Sequence, residues 1–127
     1  MKGYHAAIAV AGFVVGIVLA IILMQPAKSV VVIPEGSSMP DLKRNFEPQT
    51  MVVGLNNTVV WINQDVVAHS VISNDGYVDD LGNQFDSMSE GLIIPGQSFQ
   101  FTFTRPGIYE YHSEPHPWMH GKVVVIN

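Results

Sequence analysis

The stretch Gly107-Ile-Tyr-Glu-Tyr-His-Ser-Glu-Pro-His-Pro-Trp-Met-His-Gly-Lys-Val-Val-Val125 decides how this chain is read. Tyr109, Tyr111 and Ser113 alternate with Glu110 and His112, the period-two pattern of a half-buried strand. After Gly121 the run Val123, Val124, Val125, Ile126 is β-branched and apolar, and reads as a closing strand buried on both faces. Between the two lies a short loop stiffened by Pro115 and Pro117. It carries an imidazole, His116, and a thioether, Met119, three residues apart.

Strand signals continue upstream of this stretch. Phe99, Phe101 and Phe103 alternate with Gln100, Thr102 and Thr104, and Arg105-Pro106-Gly107 then turns the chain. Thr50 to Val53 and Thr58 to Ile62, the second containing Trp61, read as strands either side of a Leu55-Asn56-Asn57 turn. Asn63-Gln64-Asp65 turns the chain again, and Val66 to Ser73 reads as a third strand carrying His69. Asn74 to Gly91 reads as a long polar loop with five acids and a short strand near Phe85; its carboxylates lack the spacing of a calcium hand. Asn56-Asn57-Thr58 is a glycosylation sequon, relevant only to an exported domain. About seven or eight short strands with Gly, Pro and Asn turns predict an all-β fold, an antiparallel β-sandwich with Greek-key connections.

The amino-terminal part is different in kind. Ala6 to Met24 is 19 residues without a charge, roughly 28 Å as a helix and close to the hydrocarbon thickness of a bilayer. It is apolar all round and is followed directly by Gln25-Pro26, so it reads as an uncleaved transmembrane helix rather than a cleaved signal. Gly12 and Gly16 have a spacing that lets two anchors pack, though such a pair is more often incidental. The expected organisation is a flank over 1–5, the anchor over 6–24, a tether with an edge strand over 25–48, and the β-domain over 49–127.

Composition narrows the chemistry. The 127 residues suffice for one modest domain, and they include no cysteine. Disulfides, thiolate metal sites and cysteine nucleophiles are therefore excluded. Beyond the apolar segment, Lys28, Lys43, Arg44, Arg105 and Lys122 face eleven acids. That balance argues against nucleic acid and anionic lipid and allows a basic protein partner, while a solvated, solubilising face explains it equally well. No paired carboxylates or nucleophile–base set falls near the loop, so an enzyme is not expected.

Four segments together resemble the cupredoxins, closest to the amicyanin/plastocyanin branch. They are Gly54 to Asn63 with Thr58-Val59 and Trp61, then His69-Ser70, then Ile94-Pro-Gly-Gln-Ser-Phe99, and finally Pro106 through the opening stretch. The resemblance covers Gln49 to Asn127. It implies one mononuclear copper site with His69 as the upstream imidazole, His116 as the loop imidazole and Met119 as the axial ligand. Where the family has its cysteine, this chain has Ser113. A neutral hydroxyl cannot supply the thiolate of a blue or purple centre. His120 adjoins Met119 and offers a third nitrogen if the loop bends, while His112 should point away and make a structural hydrogen bond.

The family role so implied is one-electron transfer by a membrane-anchored, extracytoplasmic protein. Its partner, redox or copper-accepting, would dock at the apolar rim of His116 and Trp118. Two alternatives stay open beside it: a non-blue copper-handling protein for delivery, storage or assembly, and an apo β-sandwich that only binds a partner.

Overall fold

The computed structural model describes residues 28–127. The flank, the anchor and the Gly12/Gly16 pair lie outside the described residues, among which no helix is long and apolar enough to cross a membrane. Seven strands form in chain order: β1 (Ser29–Ile33), β2 (Thr50–Gly54), β3 (Thr58–Asn63), β4 (Ile72–Ser73), β5 (Ser98–Thr102), β6 (Gly107–His112) and β7 (His120–Ile126). They make two sheets, ordered β1-β3-β5 and β2-β7-β6-β4.

The all-β sandwich agrees with the sequence reading, but its sheets are mixed rather than antiparallel. β1 runs parallel to β3 from Ser29↔Val59 to Ile33↔Asn63, and β2 runs parallel to β7 from Thr50↔Lys122 to Gly54↔Ile126. The cause is that the chain changes sheet between β1, β2 and β3. The tight turn in which Asn57 N–H donates to Gly54 O (3.2 Å) therefore joins two sheets and does not make a hairpin within one. Only a hairpin forces neighbours to be antiparallel; strands brought together by longer connections are free to run either way.

Aromatic side chains fill the space between the sheets. Trp61 of β3 meets Tyr111 of β6 edge-on at 5.4 Å, and Phe85 packs on Trp61, Phe101, Phe103 and Tyr111. Phe99, Phe101 and Phe103 all point inward, as their alternation requires. Phe85 is fully buried although it sits in the most polar stretch of the chain. From the segment expected to be a tether, Val31, Ile33 and Phe46 all enter the core, and Phe46 contacts Tyr111 edge-on at 4.8 Å.

Two local expectations are corrected. β7 buries one face only: Val123 and Val125 are inside, Val124 is half-exposed and Ile126 is exposed, because among the described residues no layer covers the sheet's other side. Val66 to Ser73 is not a continuous strand; only Ile72 and Ser73 form one, paired with His112 and Tyr111, and His69 makes an isolated bridge to Ile93. The polar side chains of Asn63 and Asp65 take over the backbone donors there and bend the chain, leaving Val66 exposed.

Candidate metal centre

His69 owes its position to the end of β3. Buried Asn63 donates through Nδ2 to Val67 O (2.9 Å) and Ile93 O (2.8 Å), and its Oδ1 accepts from Asp65 N–H (2.9 Å). His69 N–H then donates to Ile93 O (3.0 Å) and Ile93 N–H to His69 O (2.9 Å). The bend is thus pinned on both sides, and His69 is fully buried beneath it.

The His69 ring lies 2.7 Å through Nε2 from Asp65 Oδ2, both side chains sealed from solvent. Burial pushes the Asp65 carboxyl up, but hydrogen bonds from His69, Gly36, Val66 and Ser38 outweigh it and hold the group well below the usual carboxylate range. An ionised carboxylate only accepts, so Nε2 carries a proton, and in the neutral ring Nδ1 then presents a lone pair. That Nδ1 is buried and has no protein partner.

The second half of the site comes from the turn between β6 and β7. Ser113 N–H donates to Met119 O (3.2 Å) and Met119 N–H to His116 O (2.9 Å), closing the loop on itself. Met119 and Ser113 are fully buried. The His116 ring stands 4.4 Å from that of His69, centre to centre, and its Nδ1 is also buried and without a partner. Burial lowers the His116 pKa, the neighbouring His69 lowers it further, and Asp65 opposes both. Ser113 Oγ accepts from Ser70 N–H (3.4 Å), while Ser70 Oγ accepts from Glu114 N–H (2.9 Å). Trp118 covers His116 edge-on at 5.4 Å and donates from Nε1 to Ser37 O (3.0 Å).

Two neighbouring imidazoles with bare, buried Nδ1 atoms are costly to leave unmatched, and a bound metal ion is what would match them. The donors fit copper in part: two imidazoles and a thioether suit it, and the thiolate is missing. Among the described residues no group of three or more His, Cys, Asp or Glu could hold a metal ion. Neither imidazole Nδ1 bonds to Ser113 Oγ, and no activated serine results.

The other histidines stand apart. His112 Nδ1 is 2.6 Å from Asn74 Oδ1, the structural bond expected of it. His120 is exposed on β7 and its Nδ1 lies 3.2 Å from Gln49 Nε2, so the strand carries it away from Met119's buried side. Sequence reading missed Asp65, taken only as a turn residue. Its signal was the four-residue spacing to His69. The Gly36–Ser38 segment, which also grips Asp65, gave no signal because it lies far away along the chain.

Comparison with known proteins agrees with this geometry. The family described as copper binding proteins, plastocyanin/azurin family, matches residues 35–126. Amicyanin of Paracoccus denitrificans is 32% identical over 94 residues, covering 73% of this chain and 68% of that protein. Chloroplastic plastocyanin of Tetradesmus obliquus is 33% identical over 84 residues, covering 63% of this chain and 57% of that protein. Among solved structures, a purple cupredoxin from Nitrosopumilus maritimus superposes with a TM-score of 0.65 at 27% identity, covering 78% of this chain and 100% of the other. By matched length and by fold, this chain belongs to the plastocyanin/azurin family of copper-binding proteins.

Proposed function

We propose that this chain binds one copper ion through His69, His116 and Met119, with Ser113 at the family's thiolate position, and that it serves one-electron transfer. The observation that carries the reading is the pair of buried, partnerless Nδ1 atoms on rings 4.4 Å apart. When bound, copper supplies a Cu(II)/Cu(I) couple. The chain's own residues set the balance between the two states. Neutral imidazoles suit both, and the buried Met119 thioether favours Cu(I). Ser113 contributes a neutral hydroxyl held by Ser70 N–H, so no soft anion is added and no intense visible band is expected.

Ser113 also favours a second reading, in which the same site holds Cu(I) for delivery, storage or assembly. Either way the docking face is the rim around His116, where Trp118 is 37% exposed between exposed Pro115 and Pro117. The acidic excess suits a basic partner protein. The apolar run Ala6–Met24 supports an anchor, and the family resemblance, not the run itself, favours the extracytoplasmic side for the domain. In membranes carrying the full chain, carbonate washing should leave it bound, and protease added outside should digest the domain. Release by carbonate would contradict the anchor.

The copper reading is tested by titrating the full chain with Cu(II) and, under reducing conditions, Cu(I), followed by voltammetry. One tightly bound copper with a reversible couple supports electron transfer. Tight Cu(I) without a reversible couple supports copper handling. No binding of either ion leaves only a partner-binding sandwich.

A further inference from the structure

We infer that Asp65 is a positioning residue for the metal centre: it fixes His69 in the tautomer that bares Nδ1, and it lends His69 the negative charge that Ser113 does not supply. The metal half of this inference rests on the copper reading above; the tautomer half does not.

The hydrogen-bond inventory of one carboxylate carries it. Asp65 Oδ1 accepts from Gly36 N–H (3.0 Å) and Val66 N–H (2.8 Å). Oδ2 accepts from Ser38 N–H (3.2 Å), Ser37 Oγ–H (3.4 Å) and His69 Nε2–H (2.7 Å). Every one of these groups donates, so the carboxylate is held rigid from the side opposite His69 and has no freedom to swing away. A rigid acceptor at Nε2 admits only one neutral tautomer of the ring. The Nδ1 of His69 is then left buried and partnerless on a ring 4.4 Å from that of His116.

The same loop reaches the other imidazole. Ser37 O accepts the Trp118 indole N–H, and Trp118 packs on His116. Gly36 to Ser38 therefore braces both rings at once: His69 through Asp65, and His116 through Trp118. Gly36 has φ +87°, and a Cβ there would lie 2.8 Å from Leu42 Cδ1, so the loop's shape depends on glycine.

The charge argument is elementary. An imidazole whose far N–H donates to a carboxylate is a stronger donor than a free one, and such partners govern metal affinity. With a hydroxyl in place of a thiolate, this site has no anionic ligand of its own. Asp65, one ring away, is the anion that favours the higher charge of Cu(II).

Nitrogen-15 imidazole NMR of the apo full chain in detergent reads the tautomer without any variant. The proton is expected on His69 Nε2 with Nδ1 bare; a proton on Nδ1 overturns the proposal. Cu(II) and Cu(I) affinities are then compared between wild type and Asp65→Asn, which keeps an acceptor and removes the charge. Cu(II) affinity is expected to fall about 10- to 100-fold, and Cu(I) affinity by clearly less. Equal loss for both ions would mark Asp65 as merely structural and overturn the charge role. If wild type binds no copper, the copper reading falls with the charge role, while the NMR result still decides whether Asp65 sets the ring.

Discussion

Gly121 stands opposite Tyr111 in the β6–β7 pairing, and the phenol occupies the space a side chain would need. A Cβ at this position would lie 2.5 Å from the Tyr111 hydroxyl and 3.1 Å from Gln49 O. Gly121→Ala is therefore expected to destabilise the domain by about 1–3 kcal/mol, read as a lower urea midpoint; an unchanged midpoint would show that Tyr111 can yield. Asp79 gives a pH-dependent counterpart. Its pKa is lowered first by the Asn83 side-chain hydrogen bond, against burial, and further by the N–H groups of Asn83, Leu81 and Gly82. A carboxylate lowered in the fold contributes stability above its unfolded value near 3.8, and loses it as pH falls through the folded value. Asp79→Asn should thus be less stable than wild type at about pH 7, with the gap closing as pH falls below the ordinary carboxylate range; a gap independent of pH would refute the charge effect. Residue by residue, the loop chemistry was legible because Ser113, His116 and Met119 share one short window. Asp65 was not legible as a partner, because a turn aspartate and a buried acceptor look alike until the fold is known.

At the level of elements, β1 shows how far a polar setting can disguise a core strand. Val30 to Ile33 stands among Pro, Ser, Gly and charge, yet its inward side is completely buried against β3 and the aromatic cluster. Ile33→Ala is expected to cost about 2–5 kcal/mol in urea denaturation, the range for a large aliphatic lost from a core. A loss below half a kilocalorie would mean β1 is a dispensable edge. The strand misread at Val66–Ser73 has the opposite lesson. Its β-branched residues favour a strand, but the Asn63 side chain makes three hydrogen bonds, two of them buried, that bend the backbone and set His69 inside. Asn63→Ala should destabilise by about 2–4 kcal/mol, since it strands Val67 O and Asp65 N–H and leaves Ile93 O with His69 N–H alone. It should also weaken copper binding; loss of stability with full affinity would detach the bend from the site. The clean alternation of β5 and β6 was readable because period two needs only local sequence. The parallel pairings were not, since they depend on which sheet each strand joins.

Across the whole molecule, the site is assembled from three places: the bend after β3, the loop between β6 and β7, and the segment after β1 that braces both. An antiparallel hairpin fold could not bring these together. The switching of the chain between sheets does so, and in doing so it sets the buried His69 ring 4.4 Å from the partly buried His116 ring, tilted at 42°. The chain has no cysteine, and the proposed site has Ser113 at the position that the family resemblance assigns to the thiolate. Ser113→Cys restores it at a fully buried position already facing Ser70 N–H. The decisive measurement is the visible and paramagnetic resonance spectrum of the full chain loaded with one Cu(II), wild type beside Ser113→Cys. Binding without an intense visible band in wild type, and a blue or purple band in the variant, is the expected pair of results. An intense band in wild type, or a colourless cysteine variant that binds copper, would contradict a cupredoxin site missing only its thiolate.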